Sequence, residues 1–276
     1  MTKILVTTDL SANSKAGMKF AIQLASQNKS SLIFFHVIEL QRPTRWNTSQ
    51  YEQFERSEVE AAKAKLTRFV KDVYKQIGVR PGKYDCVAQV GSPVGELIIA
   101  YAKKIKADFI CIGTQGAGRL RRIFGTHTSS VLTHSPIPVF AVPKNYRKAS
   151  ISHLLYSTDL NNLRTELKTI KKFAGTIKAK ISVLHYDYLY QVNETQDKLK
   201  KIARAHESPG IKFYFQKLNI EDTLDEHLKK AASRFKPSVV VLFTNQNRDW
   251  YERLFLSSKS AEVSFDTTKP LLIFPK

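Results

Sequence analysis

A glycine-rich segment in the first half of the chain has the composition of a phosphate-binding loop. It runs from Gly113 to Ser130 and continues an apolar run typical of a buried β-strand. Gly113 and Gly116 allow the backbone to turn tightly and to approach a bulky anion. Gly125 and Thr126 stand at the predicted start of a helix, where unpaired backbone N–H groups attract phosphate. These residue types and their spacing predict a binding site for a phosphate chain.

Cationic and hydroxyl side chains in this segment support that prediction. They are Arg119, Arg121, Arg122, Thr126, Ser129 and Ser130. The alternative is a mobile turn that holds no ligand. The position of the segment after a predicted strand favours binding, because ligands of open α/β sheets lie outside the carboxyl ends of the strands.

An internal repeat indicates which elements position the segment. Four apolar stretches of the first half recur in the same order in the second half. The matched stretches are 4–10 with 154–160, 31–36 with 180–185, 107–114 with 237–244, and 137–144 with 269–276. Both stretches of the first pair end in Thr-Asp-Leu. The chain is therefore predicted to contain two copies of one domain in tandem, residues 1–146 and 151–276.

The matched stretches are rich in β-branched and aromatic residues, as expected of strands that are buried on both faces of a parallel sheet. Helical periodicity separates them, at 16–25, at 51–74, from Pro93 onward and after Gly125. This alternation predicts an α/β fold of two doubly wound domains, each an open parallel five-stranded sheet flanked by helices. The fifth strands lie next to prolines and are predicted to pair across a pseudo-twofold axis, as an intramolecular pseudo-dimer.

The overall charge is strongly positive. The 276 residues include 44 Lys and Arg against 24 Asp and Glu, a formal net charge of +20. The basic residues divide evenly, with 22 in 1–147 and 22 in 148–276. Because they are spread along predicted helices rather than gathered in one arginine-rich block, the sequence does not favour a nucleic-acid partner. A polyanion or nucleic-acid binder is kept as the weaker alternative.

Other features of the sequence argue against a membrane protein and against a dedicated enzyme. Cys86 and Cys111 are too few for a disulfide framework, and the chain shows neither a membrane-length apolar run nor a signal peptide at Met1, so we expect a cytoplasmic protein. No Gly-Lys-Ser/Thr motif, nucleophile–base pair or metal-ligand spacing is evident. We therefore assign no catalytic or metal-binding residue and expect at most slow ATP hydrolysis. His36 and His185, at equivalent strand ends, are expected to be structural.

On these residues the chain resembles the universal stress protein family over essentially its whole length. The adenine-nucleotide loop of that family has the pattern G-x2-G-x9-G-S/T. Gly113, Gly116, Gly125 and Thr126 match it, with eight residues instead of nine between the second and third glycines. The resemblance implies a cytoplasmic stress-response protein that binds ATP or another adenine nucleotide, with or without Mg²⁺, in its N-terminal domain. A homodimer and an unidentified protein partner remain open.

The resemblance also implies roles for individual residues. Asp9 would meet the adenosine moiety, Val37 would pack on adenine, and Ile112 would lie by the ribose. Thr7 stands where many members have proline. The predicted nucleotide-binding residues are Thr7, Asp9, Val37, Ile112, Gly113, Gly116, Arg119, Gly125, Thr126 and His127. Asp9 has a structural alternative as a turn or helix-capping residue, and Val37 as ordinary core packing.

The second half has lost the glycines. Its counterpart segment, 243–258, contains none, and Asp249 and Glu252 would repel a phosphate. Asp159 nevertheless keeps the Thr-Asp-Leu pattern, which suggests a structural role for that pattern. The second domain is therefore predicted to be structural or regulatory. The competing hypothesis is a scaffold of the same fold that binds no nucleotide in either half.

Overall fold

The computed structural model divides the chain into two compact units. Unit 1 comprises Met1–Lys148, and unit 2 comprises Ala149–Phe274 together with Lys276. The structure describes residues 1–114, 126–187, 194–217, 224–244 and 269–276. None of the helices in these ranges combines the length and the apolar content that a membrane span requires.

Unit 1 alternates strands and helices along the chain. Its described strands are β1 (Lys3–Thr7), β2 (Ser31–Ile38), β3 (Tyr84–Val90), β4 (Phe109–Gly113) and β5 (Val139–Val142). Its described helices are α1 (Lys15–Asn28), α2 (Thr48–Ile77), α3 (Val94–Lys104) and α4 (Thr126–His134). The strand order is β3-β2-β1-β4-β5, and the four neighbouring pairs are parallel. The order reverses between β1 and β4, which places a crevice at their carboxyl ends.

The central strands are buried because helices cover both faces of the sheet. Ile4, Leu5 and Val6 of β1 are fully buried. On α1, Gly17 allows the helix to lie close to the end of β4. A Cβ atom built on Gly17 would lie 3.0 Å from the backbone nitrogen of Gly113, closer than almost all real Cβ contacts. A side chain at this position would push α1 away from the sheet.

Helix α2 packs against β2 and β3 and lies beside α1. Its start is fixed by a capping box, in which Asn47 and Gln50 each accept a backbone N–H of the other. The Lys15 ammonium of α1 lies 5.1 Å from the ring centroid of Phe69 on α2. Within α1 only Ser26 is exposed. Thus α1, packed on the sheet and beside α2, exposes little of its surface to solvent.

Unit 2 has the same strand order. Its described strands are β6 (His153–Thr158), β7 (Lys180–Asp187), β8 (Ile211–Lys217), β9 (Val239–Thr244) and β10 (Leu271–Pro275). Its described helices are α5 (Leu163–Ile177), α6 (Glu194–His206) and α7 (Leu224–Phe235). The order β8-β7-β6-β9-β10 matches that of unit 1, strand for strand, and β6 pairs in parallel with β7 and β9. The predicted fold class of two tandem doubly wound α/β domains is confirmed.

Candidate functional site

The turn after β1 is held by its own side chains. Leu10 has a φ of 62°, in the left-handed region that a leucine rarely adopts. Its backbone N–H donates to Thr8 Oγ1 at 3.0 Å, and the N–H of Ser11 donates to Asp9 Oδ1 at 3.0 Å. These two hydrogen bonds stabilise the bend that leads from β1 to α1.

Unit 2 contains the same turn with equivalent hydrogen bonds. Leu160 has a φ of 67°, and its N–H donates to Thr158 Oγ1 at 3.0 Å. The N–H of Asn161 donates to Asp159 Oδ1 at 3.0 Å. The Thr-Asp-Leu pattern therefore has a structural role in both units. One oxygen of the Asp9 carboxylate holds the turn, and a contact between Asp9 and adenosine stays a prediction.

Equivalent histidines support the two turns from the second strand of each unit. His36 Nδ1 lies 2.9 Å from the carbonyl oxygen of Thr8, and His185 Nδ1 lies 2.9 Å from that of Thr158. Because a carbonyl oxygen can only accept, each Nδ1 carries the proton in this contact. The structural role predicted for this pair of histidines is what the geometry shows.

A serine couples the turn to the first helix of unit 1. Ser14 Oγ donates to the carbonyl oxygen of Ser11 at 2.9 Å and lies 2.8 Å from Thr8 Oγ1. Both hydroxyl groups belong to buried residues. The positions of Thr8 and Asp9 relative to α1 are therefore fixed by hydrogen bonds.

A pocket of about 250 Å³ lies at the carboxyl end of this sheet. It brings together strand ends and helix starts that are distant in sequence. The lining residues are Thr7, Thr8, Asp9, Ser14, Phe35, Val37, Glu39, Val94, Ile98, Ile112, Gly113, His127 and Thr128. Six of the ten predicted site residues belong to this lining, namely Thr7, Asp9, Val37, Ile112, Gly113 and His127.

The lining divides into an apolar wall and a polar rim. Phe35, Val37, Val94, Ile98 and Ile112 form the wall, and the remaining residues supply hydroxyl, carboxylate, imidazole and backbone groups. Pockets for small organic ligands commonly combine an apolar surface with a few placed polar groups. The arrangement therefore suits a ligand that has a flat apolar ring at one end and polar groups at the other.

Several lining residues were missed by sequence reasoning. Glu39 follows Val37 at the end of β2, and its carboxylate accepts the hydroxyl of Ser92 at 2.9 Å. Val94 and Ile98 lie on the first turns of α3. A signal existed for both groups, because residues at strand ends and at helix starts after Pro93 meet at the same edge of the sheet.

Helix α4 begins at Thr126 and points its first turn toward this edge. Thr128 Oγ1 donates to the carbonyl oxygen of Gly113 at 3.1 Å, which ties the helix to the end of β4. The first backbone N–H groups of a helix lack acceptors within the helix, so an anion is favoured there. Gly116, Arg119 and Gly125 lie outside the described residues.

Close approach of two helices shapes the same edge. A Cβ atom built on Gly95 of α3 would lie 2.6 Å from Oγ and 2.8 Å from Cβ of Ser130 on α4. Glycine at this position therefore lets α3 and α4 pack together. Two pocket-lining residues are next to this contact. Val94 directly precedes Gly95 on α3, and His127 lies about one turn before Ser130 on α4.

Comparison with known proteins identifies the family. The model of the universal stress protein family matches residues 1–143, slightly more than half of the chain. The chain belongs to the universal stress protein family.

Solved structures agree with this family at the level of fold. A universal stress protein from Archaeoglobus fulgidus DSM 4304 is 14% identical, with 99% of this chain and 98% of that chain covered and a TM-score of 0.71. A putative universal stress protein from Pseudomonas aeruginosa UCBPP-PA14 is 14% identical, with 100% and 93% covered and a TM-score of 0.61. A universal stress protein solved in complex with cAMP is 22% identical and covers 51% of this chain and 96% of its own, with a TM-score of 0.39. No curated protein sequence matches the chain.

In this universal stress protein the corresponding end of unit 2 carries an ion-pair network. Lys276 Nζ lies 3.1 Å from Asp159 Oδ2 and 3.5 Å from Glu166 Oε1. The hydroxyl of Tyr156 donates to the other carboxylate oxygen of Glu166, which is buried. Two carboxylates thus flank one ammonium group, and the Tyr156 hydroxyl binds the second oxygen of Glu166.

Glu166 occupies the position on α5 that Gly17 occupies on α1. Both helices end at a lysine in the left-handed conformation, Lys29 and Lys178, and the two residues lie at the same distance before it. The glycine that lets α1 approach β4 in unit 1 is therefore replaced in unit 2 by a buried carboxylate. The two sheet ends differ in chemistry although their turns are the same.

The network alters the pKa values of its members. Burial alone would raise the pKa of Asp159, but the N–H of Asn161 and the Lys276 ammonium outweigh it and lower that pKa. Burial alone would lower the pKa of Lys276, but the carboxylates of Asp159 and Glu166 outweigh burial and raise that pKa above its ordinary value. Burial, followed by the hydrogen bond to Glu166, raises the pKa of Tyr156 far above its usual range. The ion pair of Lys276 and Asp159 therefore persists across the neutral pH range.

The described parts of the two units contain no group of three or more His, Cys, Asp or Glu side chains with metal-binding geometry.

Proposed function

We propose that this protein is a cytoplasmic stress-response protein that binds ATP or another adenine nucleotide in the pocket of unit 1, with unit 2 in a structural or regulatory role. The observation that carries the proposal is the convergence of six predicted residues on one pocket. They arrive from the ends of β1, β2 and β4 and from the start of α4. Convergence of residues that are distant in sequence and that the family resemblance assigns to one ligand supports a shared site.

The strand order supports an orientation for the nucleotide. Asp9 follows β1 and Glu39 follows β2, so both carboxylates of the lining lie on the β2 side of the pocket. Gly113 and the start of α4 lie on the β4 side, where backbone N–H groups favour anions. A nucleotide would therefore place its base against Val37 and its phosphates toward Gly113 and His127, away from the two carboxylates.

The contrast between the units supports a single nucleotide site in each chain. Unit 1 has Gly17 beside the end of β4, whereas unit 2 has the buried Glu166 and its ion pair with Lys276 at the equivalent helix position, and segment 243–258 of unit 2 contains no glycine. The turn residues cannot show which unit binds nucleotide, because they stabilise the same backbone turn in both units. We therefore assign the nucleotide to unit 1 and expect one nucleotide for each chain.

The first test is the identity and amount of nucleotide carried by freshly purified protein. The protein is denatured, and any released nucleotide is identified by mass and quantified against the chain. A ratio near one adenine nucleotide for each chain supports the proposal. If none is released, the protein is titrated with ATP, AMP, cAMP and GTP, with and without Mg²⁺, in a calorimeter.

Thermal denaturation supplies an independent readout. A ligand that binds only the folded protein stabilises it by about 2.7 kcal/mol at a hundredfold excess over Kd. The melting temperature should therefore rise with the concentration of an adenine nucleotide. Absence of released nucleotide, of calorimetric heat and of any shift in melting temperature would reject nucleotide binding and leave the scaffold hypothesis.

A further inference from the structure

The solvent-facing side of α5 in unit 2 is uniformly basic. Eight of its fifteen residues are exposed, and four of these are Lys or Arg while none is Asp or Glu. The four are Arg164, Lys168, Lys171 and Lys172, which we call the α5 basic face. The single acidic residue of the helix, Glu166, is buried and paired with Lys276. The exposed charge of α5 itself is thus entirely positive.

The spacing of these residues places them on one side of the helix. Positions i, i+4, i+7 and i+8 recur with the helical period, and the four span about 12 Å along the axis. Within the described ranges, none of the four forms an ion pair. Like charges at this spacing repel one another and weaken the helix by about 0.2–0.5 kcal/mol for each pair. An anionic partner would remove this repulsion.

The equivalent helix of unit 1 has no such face. On α1 only Ser26 is exposed, and the 30-residue helix α2 packs beside α1 with Phe69 against Lys15. The helix that follows β7 in unit 2, α6, has 13 residues. The outer side of α5 is left open to solvent.

We propose that the α5 basic face binds the phosphate backbone of duplex nucleic acid. Lysine and arginine at helical spacing neutralise phosphates without reading bases, so the binding is independent of sequence and sensitive to salt. The sequence alone did not favour this partner because the basic residues are spread along the chain. Folding gathers four of them on one surface and buries the acidic residue between them.

The chemistry of α5 favours nucleic acid over a membrane surface. A helix that lies on a membrane inserts an apolar face into the lipid boundary. The apolar face of α5, which includes Leu167, Ile170 and Phe173, is buried in the core of unit 2. Across the described residues, the large hydrophobic side chain found exposed is Met1. The described part of unit 2 therefore offers no large exposed apolar side chain that could anchor in lipid.

The test is binding of a fluorescent DNA duplex of arbitrary sequence, followed by anisotropy between about 50 and about 200 mM salt. Four phosphate contacts give a slope of log affinity against log salt near −3.6, a loss of about a hundredfold across this range. The triple variant Lys168→Gln, Lys171→Gln, Lys172→Gln should reduce the magnitude of the slope by about three. The matched control is the triple variant of α2, Lys63→Gln, Lys65→Gln, Lys71→Gln, which removes the same charge from a helix whose exposed residues carry both signs. Its slope should stay within about one unit of the wild-type slope.

Three further measurements make the outcome decisive. Replacing the same three α5 lysines by arginine should preserve binding, which separates loss of charge from damage to the fold. Circular dichroism and melting curves establish that each variant is folded. Three results would overturn the proposal. The first is no duplex binding at low salt, and the second is a decrease of the slope in the α2 control equal to that in the α5 variant. The third is binding to vesicles of equal parts phosphatidylserine and phosphatidylcholine without binding to the duplex.

Discussion

The ammonium nitrogen of Lys276 lies 3.1 Å from Oδ2 of Asp159, although 117 positions separate the two residues in the chain. Lys144, the counterpart of Lys276 in unit 1, is exposed after the end of β5. The same Pro-Lys sequence therefore has different surroundings in the two units. In unit 2 the lysine compensates Asp159 and the buried Glu166.

We expect Lys276→Met to destabilise the protein by about 1–3 kcal/mol, because the buried carboxylate of Glu166 loses its counter-charge. Lys144→Met is the matched control and should change the free energy of unfolding by less than about 0.5 kcal/mol, as for other exposed positions. Chemical denaturation of the two variants and the wild type provides the comparison. Equal stability of both variants would show that the network contributes nothing.

The stabilisation by Lys276 should depend on pH at both ends of the scale. The pKa of Asp159 is lowered in the folded protein, so its contribution is present above the unfolded value, near 3.9, and is lost as the pH falls through the folded value. The pKa of Lys276 is raised, so its contribution is present below its ordinary value of 10.5 and is lost as the pH rises through the folded value. The difference in melting temperature between wild type and Lys276→Met should therefore be largest between about pH 5 and about pH 10. A difference that stays constant down to about pH 3 would argue against the ion pair.

Asp9→Asn and Asp159→Asn form a matched pair for testing the nucleotide site. Asparagine keeps the Oδ1 acceptor, so both turns should survive. If Asp9 contacts adenosine, its substitution should weaken ATP binding about tenfold, which corresponds to the loss of about 1.4 kcal/mol. Asp159→Asn should leave the affinity unchanged. Calorimetric titration of the two variants with ATP measures both affinities. An equal change of affinity in both variants would mean that the ligand binds elsewhere or that the turn itself affects binding.

Filling the pocket should abolish binding without unfolding the protein. Val94 is half-buried at the first position of α3 and lines the pocket, so the indole of Val94→Trp would occupy the space of the ligand. Val59→Trp, at a half-buried position of α2 outside the lining, controls for added bulk. Loss of the ATP-dependent rise in melting temperature in Val94→Trp alone is the expected result. Retention of the full rise would mean that this pocket is not the nucleotide site.

Two glycines in helices should respond in opposite directions to the same substitution. Gly175→Ala in α5 meets no atom within 4 Å and should stabilise by about 0.5–1 kcal/mol, since alanine favours the helix. Gly95→Ala places a Cβ 2.8 Å from that of Ser130 and should destabilise in spite of the same preference. Adding Ser130→Gly to Gly95→Ala should restore part of the loss. Melting curves that show equal stabilisation by both alanine variants would contradict the close packing of α3 and α4.

The sequence predicted the fold and the edge of the sheet where the pocket lies, because apolar runs and helical periods are local patterns. Thr7 and Val37 lie among the strand-end residues indicated in this way, whereas the role of Ile112 came from the family resemblance. The wall formed by Val94 and Ile98 depends on where α3 lies in space, which the pattern does not encode. The contact of Lys276 with Glu166 likewise joins distant positions and has no local signature. The roles of Gly116, Arg119 and Gly125 stay predictions.

The bend at Leu10 and Leu160 also bears on the history of the chain. A leucine in the left-handed region costs about 1–2 kcal/mol, a cost that glycine largely avoids, so its presence at φ values of 62° and 67° in both units is unusual. Unit 2 keeps this strained leucine although its segment 243–258 contains no glycine. If the two units descend from one duplicated domain, that ancestor already had the bend, and the bend is older than the divergence of the two sheet ends. The backbone that enters the first helix is thus common to both units, although the helix itself carries glycine in one unit and glutamate in the other.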